Sequence, residues 1–280
     1  MSQQTSSQRW LITGSSRGLG RALAEAVLQA GHRLVATARD PEQLAVLSTQ
    51  YGDAVRTVAL DVTDPLAAQR AVQAASEAFG GLDVLVNNAG QGDVNAVEDT
   101  SLEDFRRQIE TNLFGTIIVT KAAIPLMREQ RSGHIIQLSS VGGRIGAPGR
   151  APYSAAKWGV EGFSESLALE MALVGVHVTL VEPGGFRTDF AGASTTLREG
   201  RADYDAVVGA AARRQRAYDG QQPGDPKRAA QAILRIAAMD DPPLRIALGS
   251  DAADAIEAAD VKRLEELRRW WGLSVSTDFR

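Results

Sequence analysis

The 280-residue chain contains no cysteine, which excludes disulfides, thiolate metal sites and a cysteine nucleophile. Histidine is almost as scarce. His32, His134 and His177 stand far apart, each beside a strand or turn signal, so no metal-ligand spacing arises and no metal is expected. Nowhere do ~18 consecutive apolar residues occur, so no membrane span is expected. Residues 1–8 are polar and lack the apolar stretch of a signal peptide, and are read as a disordered tail. A basic excess is missing too: 30 Lys and Arg against 34 Asp and Glu leave a net charge of −4. That balance argues against nucleic-acid binding, whose affinity depends on neutralising phosphates. The expectation is a soluble, cytoplasmic protein.

What is present is a regular alternation. Seven short apolar, β-branched-rich runs recur, at 10–13, 34–38, 55–60, 84–87, 134–139, 176–181 and 244–248. Their nearly continuous hydrophobicity predicts strands covered on both faces. Helical stretches lie between them, with start signals at Asp64-Pro65 and in Thr100-Ser-Leu-Glu103, which fits a capping box. Right-handed crossovers then imply an α/β fold, a doubly wound, seven-stranded parallel sheet of Rossmann type, with ligands at the carboxyl ends of the strands. No linker or internal repeat divides the chain, so residues 9–280 are read as one domain, with 250–280 as a helical extension.

Two clusters carry chemistry. The first is Thr13-Gly14-Ser-Ser16-Arg17-Gly18-Leu19-Gly20, placed between a strand and an amphipathic run. Glycines there let backbone approach a phosphate, and free amides at a helix start bind one. The second is Tyr153 with Lys157 four residues later and Ser140 thirteen positions before the tyrosine. On a helix that spacing puts phenol and ammonium on one face, a turn apart. A free phenol titrates near ~10, and an adjacent cation favours phenolate, bringing the group toward useful acid–base range. A serine hydroxyl can hold a carbonyl oxygen, so the trio suggests carbonyl/alcohol interconversion.

With both clusters in hand, the chain resembles the short-chain dehydrogenase/reductase family from about residue 8 to 190. The resemblance rests on Thr13 to Gly20, Asp61-Val62, Asn87-Asn88-Ala89-Gly90, the set Asn112, Ser140, Tyr153 and Lys157, and Pro183-Gly184, in order and at family spacing. Residues 139–170 are most similar to the hydroxysteroid (17β) and retinol dehydrogenase-like carbonyl reductases. The resemblance implies that Ser140 orients a substrate carbonyl, that Tyr153 is its proton donor, and that Lys157 lowers the phenol pKa and binds the nicotinamide ribose. It implies that Asn112 holds, through its backbone, a water linking Lys157 to solvent. Cofactor contacts are implied at Gly14, Ser16, Arg17, Gly18, Leu19, Gly20, Asp61, Val62, Asn88, Ala89, Gly90, Pro183, Gly184 and Thr188.

The second strand ends on Ala38 rather than the acidic residue that takes ribose hydroxyls, and Arg39 follows it. Arg17 and Arg39 can together grip a 2′-phosphate, which points to NADP; Asp40 could weaken that site if it turned inward. The alternatives are an NAD-dependent alcohol dehydrogenase, a cofactor-binding sensor without turnover, and a sugar-nucleotide epimerase, which the glycine spacing disfavours. Substrate contacts are expected from Arg144 and Arg150. Residues 190–225, with Tyr204, Tyr218, Arg213, Arg214 and Arg216, form either a lid or a solvated face. The adjacent Trp270 and Trp271 cannot both face one core, and one is a candidate for the subunit contact of a homo-oligomer, dimer or tetramer, as the family resemblance implies.

Overall fold

The computed structural model describes residues 7–190 and 195–279. Residues 1–6 of the expected tail, 191–194 of the expected lid and Arg280 lie outside the described residues. Seven parallel strands, β1 (Arg9–Ile12), β2 (Arg33–Ala38), β3 (Val55–Ala59), β4 (Val84–Asn87), β5 (Gly133–Leu138), β6 (Val176–Pro183) and β7 (Arg245–Leu248), form one sheet in the order β3-β2-β1-β4-β5-β6-β7. The chain winds outward from β1 to one edge, then restarts at β4 beside β1 and winds to the other. The carboxyl ends of β1 and β4 therefore flank the order switch where a ligand groove opens.

Because side chains alternate along each strand, the sheet feeds two cores. On one face Trp10, Ile12, Leu34, Val86 and Ile136 pack against α1 (Gly18–Gln29) and α8 (Pro226–Ala237). On the other, Leu11, Val35, Leu85 and Ile135 meet α3 (Pro65–Phe79), α5 (Gly115–Gln130) and α6 (Ala151–Ala172). The remaining helices are α2 (Ala45–Tyr51), α4 (Leu102–Ile109), α7 (Ala210–Tyr218) and α9 (Ser250–Val275).

Asp64 caps α3 as expected, accepting from Leu66 N, with Pro65 as first residue. The cap of α4 falls one residue later than the sequence suggested. Ser101 accepts from Asp104 N, while the Thr100 hydroxyl donates back to Ala96 O. Both frames satisfy a Ser/Thr-x-x-acid pattern, and the frame that leaves Thr100 closing the preceding turn prevails. Strand β6 runs to Pro183, two residues past the expected end, because Glu182 and Pro183 pair with Ala247 and Leu248. Trp270 and Trp271 are both exposed, so neither fills the core.

His134 is a structural residue. Its Nε2 lies 2.9 Å from Thr179 Oγ1, and that hydroxyl already donates its one proton to Pro243 O, so the imidazole Nε2 is the donor. Burial and the neighbouring His177 push its pKa from 6.5 to about 4. The unfolded chain thus takes up a proton below pH ~6.5 that the folded chain refuses until about 4, and stability falls across that window by on the order of 3 kcal/mol. Urea denaturation from pH 7 to 4 should show this slope in the parent and a flatter one in His134→Gln. Equal slopes would contradict it.

Candidate active site

The groove at the switch is a cavity of about 1340 Å³. Its walls hold Gly14, Ser16, Arg17, Gly18 and Leu19 at one end and Ser140, Tyr153 and Lys157 at the other. Arg39, Asp61, Val62, Asn88, Ala89, Gly90, Pro183, Gly184 and Thr188 line it between. Two of the expected catalytic and cofactor residues are not in the wall. Gly20 is packed beneath it, where a Cβ would collide with Asn88 Nδ2 and Gly14 O, so it serves the close approach of helix and loop. Asn112 stands behind Gly90.

The glycine turn is held open by side chains. Gly14 and Gly18 take φ of +69° and +58°, which L side chains rarely adopt. Thr13 Oγ1 accepts from Asn88 N and Ala89 N at 2.9 and 3.0 Å, while Asn88 Nδ2 donates to Thr13 O and Gly14 O at 2.9 and 3.1 Å. Asn88 therefore locks the loop after β4 onto the turn after β1. Asp40 does not turn toward its neighbouring arginine: its carboxylate accepts from Glu42 N and caps a short helical turn. Asp61 accepts from Thr63 N and Oγ1 at 2.9 and 2.7 Å, which holds its carboxyl below the usual range, with Arg39 adding a smaller pull.

At the chemical end, Ser140 Oγ accepts from Gly142 N at 3.0 Å and shares a hydrogen bond with the Tyr153 hydroxyl. A Cβ on Gly142 would sit 3.1 Å from Tyr153 Cε1 and 3.5 Å from Ser140 Oγ, so a side chain there would press on the ring. Lys157 Nζ donates to Leu138 O at 2.6 Å and lies 5.9 Å from the Tyr153 ring centroid. Burial brings the lysine down to about 8. Burial pushes Tyr153 up, and the influences that pull it back are the Ser140 hydrogen bond and the charge of Arg150.

Asn112 sits in a wide helical turn, Glu110–Phe114, between α4 and α5. Its side chain accepts from Gln91 N at 3.0 Å and donates to Gln91 O and Gln108 O at 2.8 and 2.9 Å; its carbonyl accepts from Thr116 Oγ1. A Cβ on Gly90 would lie 2.8 Å from Asn112 Oδ1 and 3.9 Å from Lys157 Nζ, so asparagine and lysine flank that glycine.

The two candidate substrate arginines part company. Arg144 faces away from the cavity and is bound to Glu182 and Asp260 at 2.9 and 2.6 Å, a structural role that corrects the expectation. Arg150 lies in the wall. Farther along, Arg213 and Arg216 are held by Glu199, with Asp205 also on Arg213, so this face is solvated and ion-paired; of the expected lid residues Tyr218 does reach the wall. The sequence did not single out Phe190, whose ring lies 5.8 Å from that of Tyr153. No local pattern marks it.

Comparison with known proteins agrees with this geometry. A family model described as short chain dehydrogenase matches residues 8–198. Oxidoreductase BOA17 of Botryotinia fuckeliana is 47% identical over 96% of this chain and 98% of its own length. The 3-ketodihydrosphingosine reductase of Bacteroides thetaiotaomicron is 36% identical over 85% and 87%. The solved short-chain dehydrogenase of Streptomyces avermitilis superposes with a TM-score of 0.91 at 40% identity, over 98% of this chain and 100% of that one. A short chain dehydrogenase/reductase from Burkholderia phymatum, determined in complex with NAD, gives a TM-score of 0.81 at 25% identity over 94% of each. The chain belongs to the short-chain dehydrogenase family. It is thus an oxidoreductase built on the Rossmann-type sheet described above.

Proposed function

We propose that the protein is an NADP(H)-dependent oxidoreductase interconverting a ketone or aldehyde and the corresponding alcohol, with Tyr153 as the acid–base group. The observation carrying this reading is that one continuous cavity joins the glycine turn to Ser140, Tyr153 and Lys157. The groove fits a dinucleotide: positive-φ glycines expose backbone at one end, and the acidic residue that would repel a 2′-phosphate is replaced by Ala38. The nicotinamide supplies the hydride. Gly14 to Leu19 would hold the pyrophosphate, Asp61-Val62 the adenine, Asn88 to Gly90 the neighbouring ribose, Lys157 the nicotinamide ribose, and Pro183, Gly184 and Thr188 the nicotinamide. Ser140 would hold the carbonyl oxygen and Tyr153 would give it the proton. Asn112, beside Gly90, would hold the water that resupplies Lys157.

Arg17 and Arg39 decide between the two nicotinamide nucleotides. Neither makes an ion pair among the described residues, and Asp40 is engaged in its cap. Each charge-assisted hydrogen bond to a phosphate contributes about 1.5–3 kcal/mol. Replacing both arginines by glutamine should lower kcat/KM for NADPH by about 100-fold and leave NADH within about threefold. Equal losses with both nucleotides would favour the NAD reading, which the NAD complex of the Burkholderia relative also suggests. Lys157→Met should raise the Kd for NADPH as well as slow turnover, since the ammonium would serve both; fluorescence titration separates the two.

A further inference from the structure

Arg150 is the N-cap residue of α6 and reaches into the cavity beside Tyr153, its guanidinium carbon 5.8 Å from the ring centroid. Three side chains converge over Gly92. A Cβ there would lie 3.2 Å from Tyr153 Cδ2, 3.3 Å from Arg150 Nη1 and 3.3 Å from Phe190 Cζ. Glycine at 92 therefore keeps the space above the phenol clear while the guanidinium borders it.

The arginines elsewhere in part-buried positions are satisfied: Arg9 by Asp83, Arg144 by Glu182 and Asp260, Arg245 by Glu161. Arg150 is half-buried and, among the described residues, has neither an ion pair nor a hydrogen bond from its guanidinium. Asp93 is the carboxylate that attracts it at a distance, but that group is taken by Arg107 at 3.2 Å and Thr196 N at 3.1 Å. The amino end of α6 has no side-chain cap, which adds a partial positive charge at the same place. Burying a charge without a partner is costly, and a site that does so in a ligand cavity is built for a ligand that brings the opposite charge. Lost solvation already disfavours the cation, pushing the Arg150 pKa down.

The geometry points to Arg150 as the binding group for a carboxylate on the substrate, close in the chain to the carbonyl that Tyr153 protonates, so that the substrates are oxo acids. This rests on the reading of Tyr153 as the acid. Arg presents two parallel N–H donors that match a carboxylate, and Phe190 covers the apolar part of such a molecule. The competing role, a cation that tunes the phenol, makes a different prediction, because it would act on every substrate alike.

Pyruvate, acetoacetate and levulinate, each paired with its methyl ester, distinguish the roles in NADPH-linked assays. The parent enzyme should favour at least one acid over its ester by about 10-fold or more in kcat/KM, and this acid-to-ester ratio should fall about 10- to 100-fold in Arg150→Met, with Arg150→Lys between. A parent enzyme that reduces the esters and neutral ketones without preferring any acid overturns the proposal while leaving the reductase reading intact. So does a loss in Arg150→Met that is equal for acid and ester and comes with a shifted pH profile of kcat. No turnover of any of these compounds leaves the reductase reading to a wider panel of ketones and aldehydes. Calorimetric titration of the NADPH-loaded parent with each acid and ester then decides the subsite alone: binding of acid without ester supports it, and binding of neither removes it.

Discussion

Tyr153→Phe is expected to lower kcat/KM for carbonyl reduction by about 10³- to 10⁴-fold while the Kd for NADPH stays within about threefold. The ring keeps its contacts with Phe190 and the cations of Arg150 and Lys157, since phenylalanine fills the same space. What disappears is one hydroxyl, hydrogen-bonded to Ser140 in a desolvated pocket. Ser140, the neighbouring hydroxyl, would be engaged with the substrate oxygen. Ser140→Ala should cost less, on the order of 10²-fold, as it removes orientation but keeps the proton. Wild-type turnover in Tyr153→Phe would end the assignment.

The second large effect is on stability. Glu161 and Glu182 are buried carboxylates on α6 and β6, and Arg245 on β7 reaches both, at 3.0 and 3.5 Å, and Glu165 at 2.9 Å. Arg144 takes the other side of Glu182 and passes the network to Asp260 on α9. Desolvation pushes Glu161 upward, and Arg245 opposes it. Removing Arg245 leaves the buried Glu161 without its partner beside Glu182, which keeps Arg144, a defect that costs about 3–5 kcal/mol. Arg245→Ala should therefore lower Tm by on the order of 10 °C in thermal unfolding. Adding Glu161→Gln should recover part of the loss, because it removes the stranded charge. A drop below about 1 kcal/mol, or no recovery in the double variant, would show that the pair is solvated in practice.

The same network explains what the sequence hid. Glu182 reads as a polar break after an apolar run, so β6 seemed to stop at Val181; its charge is met by Arg144 and Arg245, which are remote in sequence. For the same reason Arg144 and Arg150 look alike in the chain, and only the carboxylates at 182 and 260 separate the structural one from the one in the cavity. The seven strands were legible because burial on both faces leaves nearly continuous apolar runs, and the motif residues because they sit at the ends of those runs. The phenol's surroundings were not legible. A Tyr-x-x-x-Lys spacing puts both residues on one face but says nothing about the Leu138 carbonyl that holds the ammonium, nor about Phe190 arriving from the segment after β6. The cap at Ser101 shows the same limit on a small scale, two overlapping frames being equally good until Thr100 finds the Ala96 carbonyl.

A crystal structure of the NADPH complex tests the account most directly, since it needs no substrate. The nicotinamide ring is expected beside Tyr153 and Ser140, with Lys157 turned from the Leu138 carbonyl to the ribose and the 2′-phosphate between Arg17 and Arg39. A nucleotide bound with its nicotinamide away from Tyr153, or outside the groove at the sheet's order switch, would contradict it.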